Sequence, residues 1–328
     1  MMEYLRLNNS DLTVSRFCMG GCPMGGFDWG ETNQQDFIRA IHTALAEGVT
    51  FFDTADTYGL GQSERTLAKG LGSHRKDVVI QTKFGVRVGN GKTVIDNSPA
   101  WIREALDRSL KRLKTDYIDL YVVHYWDQKT PPEEIVAELE RQKAAGKIRY
   151  FGLSNVRPDE LPQCVPYKGQ FVTAQHEFSL CCRKREGELR LMEAEMDTTP
   201  MTWGSLGQGM LTGKYNENVS FPENDRRRRA VYVNFHGDKL KRNLRIVETL
   251  KQVAADHNVS CAAAAIRFIM DYLPTAIPIT GIKSAEQMKD NLQSLDWHFS
   301  PEEIRLLNNV SLAGEQESEE SAIWQKEF

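Results

Sequence analysis

The feature that most restricts this chain is an alternation repeated eight times. A short run of apolar, β-favouring residues is followed each time by a longer stretch with apolar residues at helical spacing. The strand-like runs are residues 16–19, 50–52, 78–82, 118–123, 148–153, 172–175, 200–203 and 275–277. Amphipathic stretches separate them at 33–47, 63–71, 99–113, 132–145, 158–164 and 187–196. The seventh gap holds two, 239–257 and 260–272, and another at 284–292 follows the eighth run. Several open on a helix-start signal, as at Ser98-Pro99 and Ser300-Pro301. Strands joined by helical crossovers run parallel, and eight of them can close on themselves. The expected fold class is therefore α/β, a (β/α)8 TIM barrel. A doubly wound open sheet competes, but it carries a Gly-x-Gly-x-x-Gly turn after its first strand, which Met19-Gly20-Gly21-Cys22-Pro23-Met24 does not supply.

Three additions are expected around the barrel. Residues 4–7 and 13–14 flank an Asn-Asn-Ser-Asp turn and predict an N-terminal β-hairpin over about residues 2–15. A long insert of weak periodicity, residues 204–237, follows strand seven, and a helix is expected at 300–312. The end of the chain, about 313–328, reads as an acidic solvated tail with Trp324 as a docking anchor. A length of 328 residues fits one barrel domain spanning 1–328. The net charge of -4 argues against a nucleic-acid partner, and no apolar run is long enough to span a membrane. The opening residues show no basic-then-apolar leader, so a cytoplasmic location is expected. Cys18, Cys22, Cys164, Cys181, Cys182 and Cys261 have no zinc-ligand spacing, so no metal is expected and the thiols read as reduced.

Function is read from the polar residues that interrupt the strands. Thr50-Phe51-Phe52 runs into Asp53, the third strand runs into Lys83, and Ile118 to Val123 runs into His124. Tyr58 stands five residues beyond Asp53. Taken singly, His124 is a structural histidine, Lys83 a rim lysine and Asp53 a turn cap. Taken together, three neighbouring strands place titratable groups on the one face where barrels carry their active sites. These residue types suit carbonyl reduction, which needs a hydride at carbon and a proton at oxygen. Tyr58 can donate the proton, an adjacent Lys83 would lower the phenol's pKa, Asp53 would hold Lys83, and His124 would hydrogen-bond the substrate oxygen.

The residues Asp53-Thr54-Ala55-Asp56-Thr57-Tyr58-Gly59, Lys83, Leu120-Tyr121-Val122-Val123-His124, Gly152-Leu153-Ser154-Asn155, Gln175, Leu211-Thr212-Gly213-Lys214-Tyr215 and Gly281-Ile282-Lys283-Ser284 with Asn291 resemble the aldo-keto reductase family. The resemblance runs from about Leu5 to Val310. It implies the catalytic tetrad Asp53, Tyr58, Lys83 and His124, and an extended nicotinamide cofactor across the barrel's C-terminal face. Ser154, Asn155 and Gln175 would hydrogen-bond the carboxamide, whose acceptor and donor they complement. Trp203 would stack on the nicotinamide ring, and Leu206, Gly207 and Gly209 would approach the pyrophosphate. The usual Tyr-Ser-Pro-Leu is Trp203-Gly204-Ser205-Leu206 here, a departure that bears on the local loop path.

The same resemblance places Gly281, Lys283 and Ser284 at the adenosine 2′-phosphate, with Gln287 and Asn291 on the adenine side. Many members have arginine near the position of Gln287; with Lys283 and Ser284 retained, NADP (as NADPH) is expected over NAD. Substrate contacts are expected from loops at Met24–Trp29, Tyr58, Phe84–Val88, Tyr125-Trp126 and the insert near Tyr232–Phe235, with Trp29 and Trp126 the aromatic candidates for an aldehyde, ketone or sugar. Arg226 and the three arginines after it read as a solvated loop, or else as part of a lid in which one arginine covers a cofactor or substrate phosphate. The expected function is NAD(P)H-dependent reversible carbonyl reduction of a small molecule. The alternatives are a sugar or polyol dehydrogenase, a cofactor-binding regulatory subunit such as those on potassium channels, and an aldolase using Lys83 as Schiff base.

Overall fold

The computed structural model describes residues 2–26, 28–89 and 92–313. In chain order the strands are β1 (Tyr4–Arg6), β2 (Thr13–Ser15), β3 (Cys18–Gly20), β4 (Phe51–Asp53), β5 (Val79–Phe84), β6 (Val86–Gly89), β7 (Lys92–Ile95), β8 (Ile118–Val123), β9 (Ile148–Ser154), β10 (Phe171–Glu177), β11 (Thr199–Trp203) and β12 (Ile277–Gly281). The helices are α1 (Gln34–Ala46), α2 (Gln62–Leu71), α3 (Pro99–Leu113), α4 (Pro132–Ala144), α5 (Leu161–Cys164), α6 (Glu186–Met196), α7 (Gly237–Asp256), α8 (Cys261–Tyr272), α9 (Ala285–Leu292) and α10 (Pro301–Leu312). Strands β3, β4, β5, β8, β9, β10, β11 and β12 form a closed parallel barrel, and β1–β2 is the expected hairpin.

Side chains alternate across each strand, and the packing clusters show which parity faces inward. Phe51, Val79, Leu120, Val122, Met201, Ile277 and Ile279 share one cluster with Leu7, Leu12 and Val14 of the hairpin, which thus plugs the barrel interior. Phe52, Ile80, Tyr121 and Val123 pack instead with Ile41 of α1, Leu106 of α3 and Leu139 of α4. A third cluster joins α7, α8 and α10 to Met210, Leu211, Tyr232 and Phe235 of the insert.

Three expectations are corrected. The eighth strand is Ile277–Gly281 rather than 275–277. Pro278 reads as a strand stop, yet it is tolerated because β12 pairs with β11 only at Ile277 and Pro278 before turning to β3. The segment after β5 is not a plain loop but the antiparallel hairpin β6–β7. The insert is not simply solvated. A bridge between Trp29 and Asp225, with Gly30 N donating to Asn224 O at 3.0 Å and Arg226 N to Asp28 O at 2.9 Å, ties it across the barrel mouth to the loop after β3. The acidic tail beyond Ala313, with Trp324, lies outside the described residues. Among the described residues no helix is long and apolar enough to cross a membrane, and no group of three or more side chains could hold a metal. None of the six cysteines is paired in a disulfide.

Candidate active site

Strand parity builds the site. Asp53 stands two residues after inward Phe51, Lys83 four after inward Val79, and His124 two after inward Val122. Each therefore points into the barrel on the side of the strand that faces the apolar plug, and Asp53 sits opposite Gln81 in the β4–β5 register. Lys83 Nζ donates to Asp53 Oδ1 at 2.5 Å, to Thr54 O at 2.9 Å and to Tyr58 Oη at 3.2 Å. Gln81 Nε2 also donates to Asp53 Oδ1, at 2.9 Å.

Tyr58 comes from the loop after β4, and a glycine fixes where. Gly59 has φ +59°, and a Cβ there would fall 2.1 Å from Gly25 O, so only glycine lets the loop pack against the turn after β3. The Tyr58 ring meets the His124 ring edge-on with centroids 6.0 Å apart. His124 is placed by its backbone N donating to Phe84 O at 2.9 Å and by stacking on Tyr125 at 4.9 Å. Its Nδ1 is buried with no hydrogen-bond partner among the described residues.

Burial governs the electrostatics. It pushes the Tyr58 phenol well above its ordinary value, with the Asp53 charge adding to the effect. The expectation that Lys83 would leave a lowered phenol pKa is thus reversed: Asp53 balances the ammonium, and a buried phenolate is poorly solvated. Burial, and then the Lys83 charge, hold His124 well below the usual imidazole value, so its ring is neutral near pH 7. Asp53 is raised by burial against the opposing pull of Lys83.

A polar group stands across the mouth from the tetrad. Ser154, the last residue of β9, and Gln175, two residues before the end of β10, are register partners, and both are buried. Gln175 Oε1 and Nε2 are buried without partners among the described residues, so an amide's acceptor and donor both lie open to a ligand. Asn155, at φ +57°, differs from expectation. Its Nδ2 donates to His124 O at 3.1 Å and Ser154 Oγ at 3.0 Å, and its Oδ1 accepts the Trp203 indole N–H at 3.1 Å. Asn155 thus fixes the Trp203 ring and has at most one lone pair left for a ligand.

Leu206 packs between two of the core clusters. Gly207, Gln208 and Gly209 follow with φ of +56°, +54° and +103°. At the opposite side, Gly281 ends β12, Ser284 caps α9, Gln287 Oε1 accepts from Lys283 N at 2.9 Å, and Asn291 is buried in α9. Lys283 Nζ turns back to donate to Trp29 O, so its ammonium helps hold the loop after β3. Of the two aromatic candidates, Trp29 stands at the mouth under the insert, but Trp126 is buried in the helix-side core. Tyr125, one residue earlier, lies beside His124 instead. Cys22, Glu177 and Gln208 complete the mouth: the Cys22 thiol and the Glu177 carboxylate act on Tyr125, and Gln208 Nε2 donates to Glu177 Oε1 at 3.1 Å. The sequence gives no sign of Cys22, a lone cysteine, whereas Glu177 could have been found as the polar end of strand six.

Such an arrangement can protonate or deprotonate an oxygen at Tyr58 beside a neutral imidazole donor. Residues 16–311 match the sequence profile of the Aldo/keto reductase family. The chain is 31% identical over 312 residues to the aldo-keto reductase YhdN of Bacillus subtilis, covering 94% of this chain and 93% of that protein. It is 32% identical over 295 residues to the aldo-keto reductase yakc [NADP(+)] of Schizosaccharomyces pombe, covering 88% and 85%. Among solved structures, the glycerol dehydrogenase of Gluconobacter oxydans superposes with a TM-score of 0.84 at 29% identity, covering 94% of both chains. The profile match across nine-tenths of the sequence and the identity above 30% to full-length relatives lead to one conclusion: this chain belongs to the aldo/keto reductase family.

Proposed function

We propose that this protein is a cytoplasmic, single-domain, NADPH-dependent oxidoreductase that reversibly reduces the carbonyl of an aldehyde, ketone or sugar. The observation that carries the reading is the contact of Lys83 Nζ with both Asp53 and Tyr58, directly beside a neutral His124. The cofactor supplies the hydride. Gln175 and Ser154 would hold its carboxamide, and the orphaned amide of Gln175 is the feature that fits it. The Trp203 indole, its N–H engaged by Asn155, offers an apolar face to the ring. The backbone around Leu206 and Gly207 would take the pyrophosphate. Gly281, Lys283, Ser284, Gln287 and Asn291 would take the adenosine end, and the NADP(+)-named relative supports NADP over NAD.

In reduction, Tyr58 gives its proton to the substrate oxygen, and its high pKa keeps that proton in place at neutral pH. The Lys83 ammonium, 3.2 Å away, then stabilises the phenolate that forms, and Asp53 keeps Lys83 there. His124, neutral, donates one N–H to the carbonyl oxygen and orients it without adding charge. Its stacking partner Tyr125 and the roof residue Trp29 shape the substrate side.

Likeness to a glycerol dehydrogenase favours a second reading, in which polyol oxidation is the working direction and Tyr58 is the base. Assay of aldehydes, ketones, sugars and polyols with NADPH and NADH, in both directions, tests both readings. Tyr58→Phe is expected to lose turnover by at least about a hundredfold while retaining cofactor affinity. Full activity in that variant would refute the role of Tyr58.

A further inference from the structure

Gln81 is an amide on the inner face of the barrel. It stands two residues after inward Val79 on β5, so its side chain also faces inward, and its register neighbours are Asp53 on β4 and Leu120 on β8. It is fully buried. Its Nε2 donates to Asp53 Oδ1 at 2.9 Å, but its Oε1 is buried with no hydrogen-bond partner among the described residues. An unmatched acceptor in such a place is destabilising, and an apolar side chain of the same length would avoid it. Packing therefore gives no reason for an amide at this position. The bond to Asp53 does.

An ammonium has three N–H donors, and Lys83 directs them at Asp53 Oδ1, 2.5 Å away, Thr54 O at 2.9 Å and Tyr58 Oη at 3.2 Å. The first two acceptors therefore set the direction of the third bond, the one to the proton donor. Gln81 holds both of them: its side chain holds Asp53 Oδ1, and its backbone O accepts from Thr54 N at 2.9 Å. Thr54 O belongs to the peptide framework, whereas a carboxylate turns about its last torsion with little resistance. Asp53 Oδ1 is thus the leg that needs a second support. We propose that Gln81 is a positioning residue which fixes Asp53 Oδ1 and so aims the Lys83 ammonium at the Tyr58 hydroxyl. A displacement of about 1 Å at a reacting group can lower a rate by about a hundredfold. The Lys83–Tyr58 contact strengthens only as the phenolate forms, so its misalignment falls on kcat and leaves KM. This deepens the carbonyl-reductase reading and rests on it.

Gln81→Met keeps the length of the side chain and removes both its donor and its acceptor. With the carbonyl that wild type reduces best, kcat should fall by about tenfold or more, while KM and the NADPH dissociation constant change little. Urea midpoints read the contact without turnover. In the wild-type background the lost bond to a charged acceptor and the removed orphan oppose each other, so the midpoint should stay close to that of wild type. In an Asp53→Asn background the lost bond is a weaker, neutral one, and the same replacement should raise the midpoint. Gln81→Leu repeats both measurements with a second apolar shape. Unchanged kcat, a fall in kcat matched by an equal weakening of NADPH binding, or the same midpoint shift in both backgrounds would overturn the proposal. Failure of both variants to fold would overturn it too, because the amide would then be structural. If wild type reduces no carbonyl, it is the reductase reading that fails. Unequal midpoint shifts in the two backgrounds then still uphold the hold of Gln81 on Asp53, and equal shifts refute it.

Discussion

Lys83 donates to the Tyr58 hydroxyl at 3.2 Å from an ammonium already held by Asp53 at 2.5 Å. The proton donor is therefore coupled to a buried ion pair of no net charge rather than to a free cation. With the ammonium so balanced, burial, and after it the Asp53 charge, hold the phenol pKa up although a lysine touches it.

Removing the Asp53 charge should show that coupling. Asp53 is the leading charged group that raises Tyr58, so Asp53→Asn leaves Lys83 unbalanced and lowers the phenol pKa. The basic limb of the reduction profile, where Tyr58 loses its proton, should move to lower pH. Turnover should fall by about tenfold or more as Lys83 loses its anchor. Profiles of kcat/KM against pH in both directions provide the check; a basic limb that stays in place would show that Asp53 does not act through Tyr58.

His124 gives a second prediction with a definite sign. Its folded pKa is depressed by burial and then by Lys83, so below about pH 6.5 the unfolded chain binds a proton that the folded one refuses. Stability is lost as pH falls from that value, by up to about 1.4 kcal/mol per pH unit for this group. His176, buried and lowered to about 3, acts in the same direction. Urea midpoints of wild type and His124→Gln between pH 7 and 4 should diverge, the variant losing less. Parallel curves would mean that His124 protonates normally in the fold.

Much of the site was legible because strand parity and strand ends are sequence properties. Asp53, Lys83 and His124 follow apolar runs of known phase, and Ser154 and Gln175 pair in register near the ends of neighbouring strands, so their convergence needed only the barrel. Features that depend on a single residue step were not. Tyr125 and Trp126 are adjacent and equally aromatic, yet one lies beside His124 and the other in the core. The tie between Trp29 and Asp225 joins residues almost 200 positions apart, and no local pattern encodes it. The hairpin β6–β7 did leave a signal, Asn90-Gly91 between alternating residues, which the expectation of an open loop obscured.

The insert should depend on Arg227. Its Nε donates to Asp225 Oδ1 at 2.9 Å and its Nη1 to Tyr215 Oη at 2.6 Å, and its Cζ lies 4.4 Å from the Phe221 ring centroid. Arg227→Ala leaves Asp225 buried without its partner, a loss on the order of 3–5 kcal/mol for such pairs. The cost should appear first as local opening. Protease cleavage within residues 204–237 should speed up and NADPH should dissociate faster, ahead of any comparable fall in Tm. Unchanged cleavage would mean that the insert is held by its apolar contacts alone.

Asp56 gives the last prediction. It lies between Asp53 and Tyr58, its Oδ1 is buried with no partner among the described residues, and its carboxyl is pushed up to about 8, chiefly by burial and then by Glu64. Arg112 pulls the other way, but it is already engaged by Glu64. A carboxyl with a raised folded pKa retains its proton while the unfolded one ionises. It therefore lowers stability progressively as pH rises from about 4 to about 8. Asp56→Asn should remove that penalty. The variant should match wild type near pH 4 and exceed it by a few kcal/mol near pH 8. Because the Asp56 charge also raises Tyr58, the variant's reduction profile should lose its basic limb earlier than that of wild type. Chemical denaturation at the two pH values measures the first effect and the rate profile the second. A variant that is less stable at pH 8 would mean that the ionised carboxylate has a partner in the folded protein.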